Sequence, residues 1–207
     1  MQKNKLIIFD LDGVIINSLS VMERSWEYAR KENNLKPLFK HYKLFIGLPF
    51  YEILKKLKIE KNKFYKTKYS YFRKSKEIYK KKLSFFPNAK KTIKLLSKKY
   101  LIALFTSKDK NLTKFIIKKH KLSFDFVVAG NQVKRGKPHK SGVTKILKKL
   151  KVKKNHALYV GDTQIDFITA KNSSIMYIHA NWGFEKKNIK NNVSSFKKLQ
   201  KFINKIL

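Results

Sequence analysis

Five short, nearly unbroken apolar runs punctuate the chain: Lys5–Leu11, Leu101–Thr106, Phe126–Ala129, Ala157–Val160 and Ile175–His179. Each is rich in Ile, Val, Leu or Phe and gives way to turn-forming or polar residues. That pattern predicts strands covered on both faces, as in a parallel sheet. Between the runs the period changes. Apolar positions three and four apart predict amphipathic helices over Asn88–Lys99, Lys110–His120, Ser141–Leu150, Thr163–Lys171 and Ser194–Ile206. Strand and helix alternating across short connections describe an α/β fold, a doubly wound (Rossmann-like) parallel sheet with helices on its two faces.

The first connection breaks this rhythm. Residues 15–85 carry no strand signal but contain three helical stretches, Ser18–Glu32, Tyr51–Leu57 and Lys61–Lys82. A structureless loop of that length does not fit a compact domain. The spacing therefore predicts a small α-helical domain inserted over 15–85, with the α/β core formed by 1–14 and 86–207. Gly47-Leu48-Pro49 marks a turn between helices of the insertion. Its aromatics Phe64, Tyr65, Tyr69 and Phe72 recur at helical spacing and are expected to be packing residues.

Composition narrows the class. A chain of 207 residues is long enough to bury roughly 70% of its unfolded surface. No stretch reaches the ~18 uninterrupted apolar residues of a membrane span. The apolar start Leu6-Ile7-Ile8-Phe9 is cut by Asp10 and Asp12, too early for a secretory segment, so a cytoplasmic protein is expected. The absence of cysteine excludes disulfide scaffolds, thiolate zinc sites, iron–sulfur clusters and thiol nucleophiles.

The net charge of +37 raises the question of a nucleic-acid partner. The charge is not concentrated, however: residues 13–85 hold nineteen basic against six acidic side chains, and the rest thirty-one against seven. Forty-six of the basic residues are Lys and only four are Arg, alongside abundant Asn, Ile, Phe and Tyr. That is the signature of an AT-rich coding sequence. A surface shaped to grip phosphates would use more of the planar guanidinium fork. Nucleic-acid binding is not expected, although the field favours anionic ligands.

Aspartate is scarce, and four of its six occurrences form two tight pairs, Asp10/Asp12 and Asp162/Asp166, each where a predicted strand ends. In an open α/β sheet the ligand crevice lies beyond the carboxyl ends of the strands. Residues two apart on an extended chain point to the same side, so Asp10 and Asp12 aim at one place. Gly13 can adopt positive φ and turn the chain away. At ~4 Å and an effective dielectric of ~20, two such carboxylates repel by roughly 4 kcal/mol. A cation is the obvious offset. Asp162 can be read as a helix N-cap with Thr163 opening the first turn. Joined to Asp10 it instead fits Mg²⁺, which takes a few oxygen ligands plus water and phosphate. Thr106-Ser107 ends the second strand, as either a phosphate cradle or an ordinary cap. Lys137 follows the third strand, with Pro138 favouring extended geometry ahead of a helix. The five histidines show no metal-ligand spacing.

Taken in order, Asp10–Gly13, Thr106, Lys137-Pro138 and Gly161–Asp166 resemble the four motifs of the haloacid dehalogenase-like phosphatase superfamily. The chain most resembles its phosphoglycolate phosphatase branch, with a helical cap after the first motif. Thr106-Ser107-Lys108, Asn181-Trp182-Gly183-Phe184 and Gly47-Leu48-Pro49 are similar to further segments of that branch. Lys140 stands where the family often has a second proline, and Ser173-Ser174 replaces the usual Ala-Gly.

The resemblance implies a Mg²⁺-dependent phosphomonoesterase acting on a small phosphorylated metabolite, phosphoglycolate-like or a sugar phosphate. Asp10 would be the nucleophile, and Asp12 the acid and base. Mg²⁺ would be held by the Asp10 carboxylate, the Asp12 backbone carbonyl and Asp162. Asp166 would support the metal's waters or orient Lys137. Thr106, Ser107 and Lys137 would bind phosphate, and Lys43, Gly47 and Pro49 would bear on specificity. The alternatives are a phosphosugar mutase of the same superfamily or, in a different class, a nucleic-acid-binding protein on a phosphatase scaffold.

Overall fold

The computed structural model describes residues 3–207. Its strands are β1 (Leu6–Phe9), β2 (Leu101–Phe105), β3 (Phe126–Val128), β4 (Ala157–Gly161), β5 (Met176–Ala180) and β6 (Asn192–Val193). They form one parallel sheet in the order β3-β2-β1-β4-β5-β6. This is the expected doubly wound α/β fold, with one strand more than the apolar runs announce. Two residues of β6 are too few to leave a pattern in the sequence.

Period-two alternation within each strand divides the core in two. Ile7 and Phe9 of β1 face a cluster that includes Ile93, Ile116, Leu199 and Ile203. These come from α5 (Ala89–Leu96), α6 (Lys110–Lys119) and α9 (Phe196–Ile206). Leu6 and Ile8 face the other cluster, with Val143, Ile146 and Ala170 from α7 (Ser141–Leu150) and α8 (Gln164–Ser173). All four β1 side chains are fully buried, and at about 25 cal/mol per Å² of apolar surface such strands carry much of the folding free energy. The order reverses between β1 and β4, so the two strands diverge in connectivity where Asp10 and Asp162 emerge.

Residues between β1 and Phe85 form α1 (Leu19–Glu32), α2 (Phe39–Lys43), α3 (Phe50–Lys56) and α4 (Phe64–Lys81), packed on a hydrophobic cluster of their own around Trp26, Tyr42, Leu54 and Tyr71. The short α2 has no sequence counterpart among the expected helices. The insertion is tied down at its neck: Asn17 N donates to Ser84 O (2.9 Å) and Phe86 N to Ile15 O (3.1 Å). In α4 the buried stripe runs through Thr67, Tyr71, Ser75 and Tyr79, and Ser75 Oγ donates to Ser25 Oγ of α1 (2.9 Å). Tyr65 and Tyr69 fall on the opposite face and are exposed, which corrects their expected packing role. Phe64 and Phe72 do pack on the cluster. No helix among the described residues is long and apolar enough to cross a membrane.

Candidate active site

Asp10 leaves β1 with its backbone still in register, its N–H donating to Val160 O of β4 (2.9 Å). The turn that follows depends on Gly13, which has φ +82°; a Cβ there would sit 2.1 Å from Asp162 Oδ2. Only glycine tolerates both the conformation and the approach, and that approach brings the first loop against the end of β4. On the far side Phe184 N donates to Asp162 Oδ2 (2.7 Å), and a Cβ on Gly183 would meet Asp162 Cβ at 2.3 Å.

The cap of α8 is Thr163, not Asp162. Thr163 Oγ1 accepts from Asp166 N (3.3 Å) while Thr163 N donates to Asp166 Oδ2 (3.2 Å), forming a reciprocal cap. This leaves Asp162 free of capping duty. Its Oδ1 is buried without a hydrogen-bond partner, an expensive state unless something else satisfies it.

Lys137 sits in a turn closed by His139 N donating to Gly136 O (2.9 Å), with a cis Lys137–Pro138 peptide, rather than on the expected extended run. Its ammonium is 1% exposed and donates to Asp10 Oδ1 and Asp166 Oδ1, both at 2.7 Å. Asp10, Asp162 and Asp166 each offer a carboxylate oxygen, all within 4.8 Å of one another. Three buried carboxylates thus face one ammonium. Burial, then the neighbouring Asp166 and Asp12 charges against the pull of Lys137, pushes the Asp10 carboxyl up to about 7. Asp162 is raised well above the ordinary range by burial and by the charges of Asp166 and Asp10. Burial acts on Asp166 in the same direction, but Lys137 and the Thr163 hydrogen bonds together hold it below its ordinary value. The uncompensated negative charge, the all-oxygen donor set and the orphaned Asp162 Oδ1 fit a hard divalent cation.

Thr106, at the end of β2, is buried, and Ser107 Oγ donates to Gly47 O of the insertion (2.6 Å). With Asp10, Asp12 and Lys137 they line a partly open chamber of about 50 Å³ beneath the helical insertion. A model of the haloacid dehalogenase-like hydrolase family matches residues 7–180, a span that holds every one of these groups.

The chain belongs to the haloacid dehalogenase-like hydrolase family.

Family members near it by sequence include a phosphoglycolate phosphatase of Aquifex aeolicus, 31% identical over 89% of this chain and 88% of that protein. The pyrophosphatase PpaX of Bacillus mycoides is 26% identical over 87% and 85%. A crystal structure of a hydrolase from Pseudomonas syringae shares the fold with a TM-score of 0.88, at 18% identity, covering 98% of this chain and 99% of that one. This haloacid dehalogenase-like hydrolase is an enzyme of the phosphatase kind.

The carboxylate cluster contains Asp166 and lacks Asp12. Asp12 is clamped instead: Ser18 Oγ donates to its Oδ1 (2.5 Å), and Lys108 Nζ lies 3.1 Å from the same oxygen. Any contribution of Asp12 to a cation is therefore left to its backbone carbonyl. Lys108 also donates to Tyr79 Oη of α4 (3.2 Å). Burial works against the Lys108 charge, but Asp12 and Tyr79 more than offset it, so the ammonium titrates above its ordinary value. Ser18, Lys108 and Tyr79 were not among the expected site residues. Lys108 had a signal, as the third residue of Thr106-Ser107-Lys108, but one lysine among forty-six does not stand out.

Of the three expected specificity residues, Gly47 lines the chamber, Pro49 lines the neighbouring cleft, and Lys43 reaches neither. In α2 Tyr42 turns into the aromatic cluster, and the next position, about 100° round the helix, points Lys43 to solvent.

Proposed function

We propose that this protein is a Mg²⁺-dependent phosphomonoesterase that hydrolyses a small phosphorylated metabolite, phosphoglycolate-like or a sugar phosphate, through an aspartyl phosphate on Asp10. The observation that carries the reading is the meeting of Asp10 and Asp162, from opposite halves of the chain, in one buried cluster beside Lys137.

The Asp10 carboxylate attacks phosphorus, and the ester oxygen leaves with a proton from Asp12. Asp12 then takes a proton from water, which attacks the phosphorus of the acyl phosphate and returns Asp10 to a carboxylate. Ser18 and Lys108 fix the direction of Asp12 for both transfers. Thr106, Ser107 and Lys137 bind the non-bridging oxygens, and Asp166 holds Lys137 in line. Asp10, Asp162 and the Asp12 carbonyl would hold the cation. Once bound, it neutralises charge between the nucleophile and the dianionic ester. Monoester hydrolysis can require up to ~10²¹-fold acceleration, roughly 29 kcal/mol. A lone lysine or hydroxyl contributes only a few kcal/mol, so the whole assembly is needed. The helical insertion acts as a cap that shields the acyl phosphate and reopens for release.

A dehalogenase reading is weaker because a halide leaves unprotonated and gives Asp12 nothing to do. The test is inorganic phosphate release from a panel of phosphomonoesters, with and without Mg²⁺, on wild type and Asp10→Asn. Stoichiometric release from the wild type alone is expected. Retained turnover in Asp10→Asn contradicts the reading, and phosphoryl return to sugar without free phosphate identifies a mutase.

A further inference from the structure

The chamber over Asp10 and Asp12 has two unlike halves. Its charged residues are Asp10, Asp12, Lys108 and Lys137, all from the α/β core and all engaged with one another or with Asp166. The insertion contributes the opposite wall, in which Ile46, Leu48, Phe50, Ile53, Tyr71 and Phe72 dominate. Among the described residues no side chain of that wall is charged. Its two phenols use each other: Tyr42 Oη donates to Tyr71 Oη at 3.3 Å. Burial pushes the Tyr42 phenol up to about 12 and holds the Tyr71 phenol well above its ordinary value, so neither supplies a charge.

The part of the leaving group next to the departing oxygen meets this wall, which shares Leu48, Phe50 and Phe72 with the neighbouring cleft. Asp12, the proton donor to the departing oxygen, lines the chamber. The wider neighbouring cleft of about 650 Å³ lacks both Asp10 and Asp12, although it holds Lys134 and Arg135. A carboxylate or second phosphoryl group placed against Phe50, Tyr71 and Phe72 would lose its water without gaining a partner. A polyol would lose most of its hydrogen bonds for the same reason.

We infer that this enzyme selects phosphomonoesters with an uncharged, largely apolar leaving group, and that the aromatic wall of the insertion, rather than any cation, sets this choice. The inference rests on the phosphomonoesterase reading of the same site. Within that reading it ranks uncharged apolar esters above the glycolate-like and polyhydroxylated ones.

The experiment compares kcat/KM with Mg²⁺ for phenyl phosphate and n-butyl phosphate against phosphoglycolate, pyrophosphate and glucose 6-phosphate. The uncharged apolar esters are expected to lead by at least about tenfold, the equivalent of one unpaired polar group. Leu48→Arg, which adds a cation to the wall, is expected to move the ratio of phosphoglycolate to phenyl phosphate upward by about tenfold or more. Wild-type preference for phosphoglycolate or pyrophosphate overturns the inference while leaving the phosphatase reading intact. Loss of that preference in Lys108→Met would assign the selection to Lys108. Turnover of none of the five compounds, with the protein folded by circular dichroism, overturns the phosphatase reading and the inference with it.

Discussion

The floor and the ceiling of the chamber solve opposite problems. The floor, with Asp162 and Asp166 just behind it, gathers Asp10, Asp12, Lys108 and Lys137 out of water, where each charge is costly unless a partner stands within hydrogen-bond reach. Every position there is consequently constrained, down to a glycine at Gly13 that lets Asp162 approach. The ceiling is aromatic and aliphatic, with ring pairs such as Phe50–Tyr71 at 4.8 Å and Phe50–Phe72 at 5.4 Å. Contacts of that kind tolerate substitution by residues of similar volume. One half therefore commits the chain to a reaction, while the other is free to set what is reacted.

Substitutions should expose that asymmetry. Asp10→Asn is expected to lower kcat by about 10⁴-fold or more, since the parts of a nucleophilic site act as a unit. Thermal unfolding should show the fold unchanged, and activity within tenfold of wild type would break the distinction. Lys137→Met leaves Asp10 and Asp166 facing one another in a buried site. A loss of about 3–5 kcal/mol in urea unfolding is expected, and a second change, Asp166→Asn, should recover part of it. Ser18→Ala removes the 2.5 Å hydrogen bond to Asp12. It should reduce kcat by about tenfold to a hundredfold with KM little changed, and Ser18→Thr should restore it. In the ceiling, Phe50→Leu should alter KM by no more than about tenfold and leave kcat alone.

The floor also predicts a pH response. Burial first, with help from the charges of Asp166 and Asp12, raises Asp10 to about 7 in the folded chain, against 3.8 for the ordinary group. Between those values the metal-free folded chain keeps a proton that the unfolded chain has released. The stability Asp10 contributes is full below its unfolded value and is lost as pH rises through the folded one. A cation competes with that proton, so Mg²⁺ affinity should strengthen from pH 5 to pH 8. Calorimetric titration across that range checks the sign.

The floor was the legible half. Strands buried on both faces leave continuous apolar runs, and the carboxyl ends of those runs locate Asp10, Thr106 and Asp162. Position alone singled out Lys137. The clamp on Asp12 escaped notice because Ser18 and Tyr79 belong to the insertion and reach Asp12 and Lys108 only after it folds back on the core. In the ceiling the resemblance points to the segment around Lys43 but not to a side chain, and it is the neighbouring Tyr42 that turns inward. Tyr65 and Tyr69 were misread for a related reason: helical spacing marks a face but does not say which face meets α1. Motif order made the chemistry readable, and nothing comparable orders an apolar surface.

The most direct measurement is Mg²⁺ binding to wild type and Asp162→Asn, followed by calorimetry and by the melting temperature at pH 8. Asp162 crowds two other buried carboxylates, so without Mg²⁺ the variant should melt no lower than wild type. Added Mg²⁺ should bind wild type with one equivalent and raise its melting temperature, and should do neither to the variant. Equal binding and an equal rise in the two proteins would contradict a shared ion between Asp10 and Asp162.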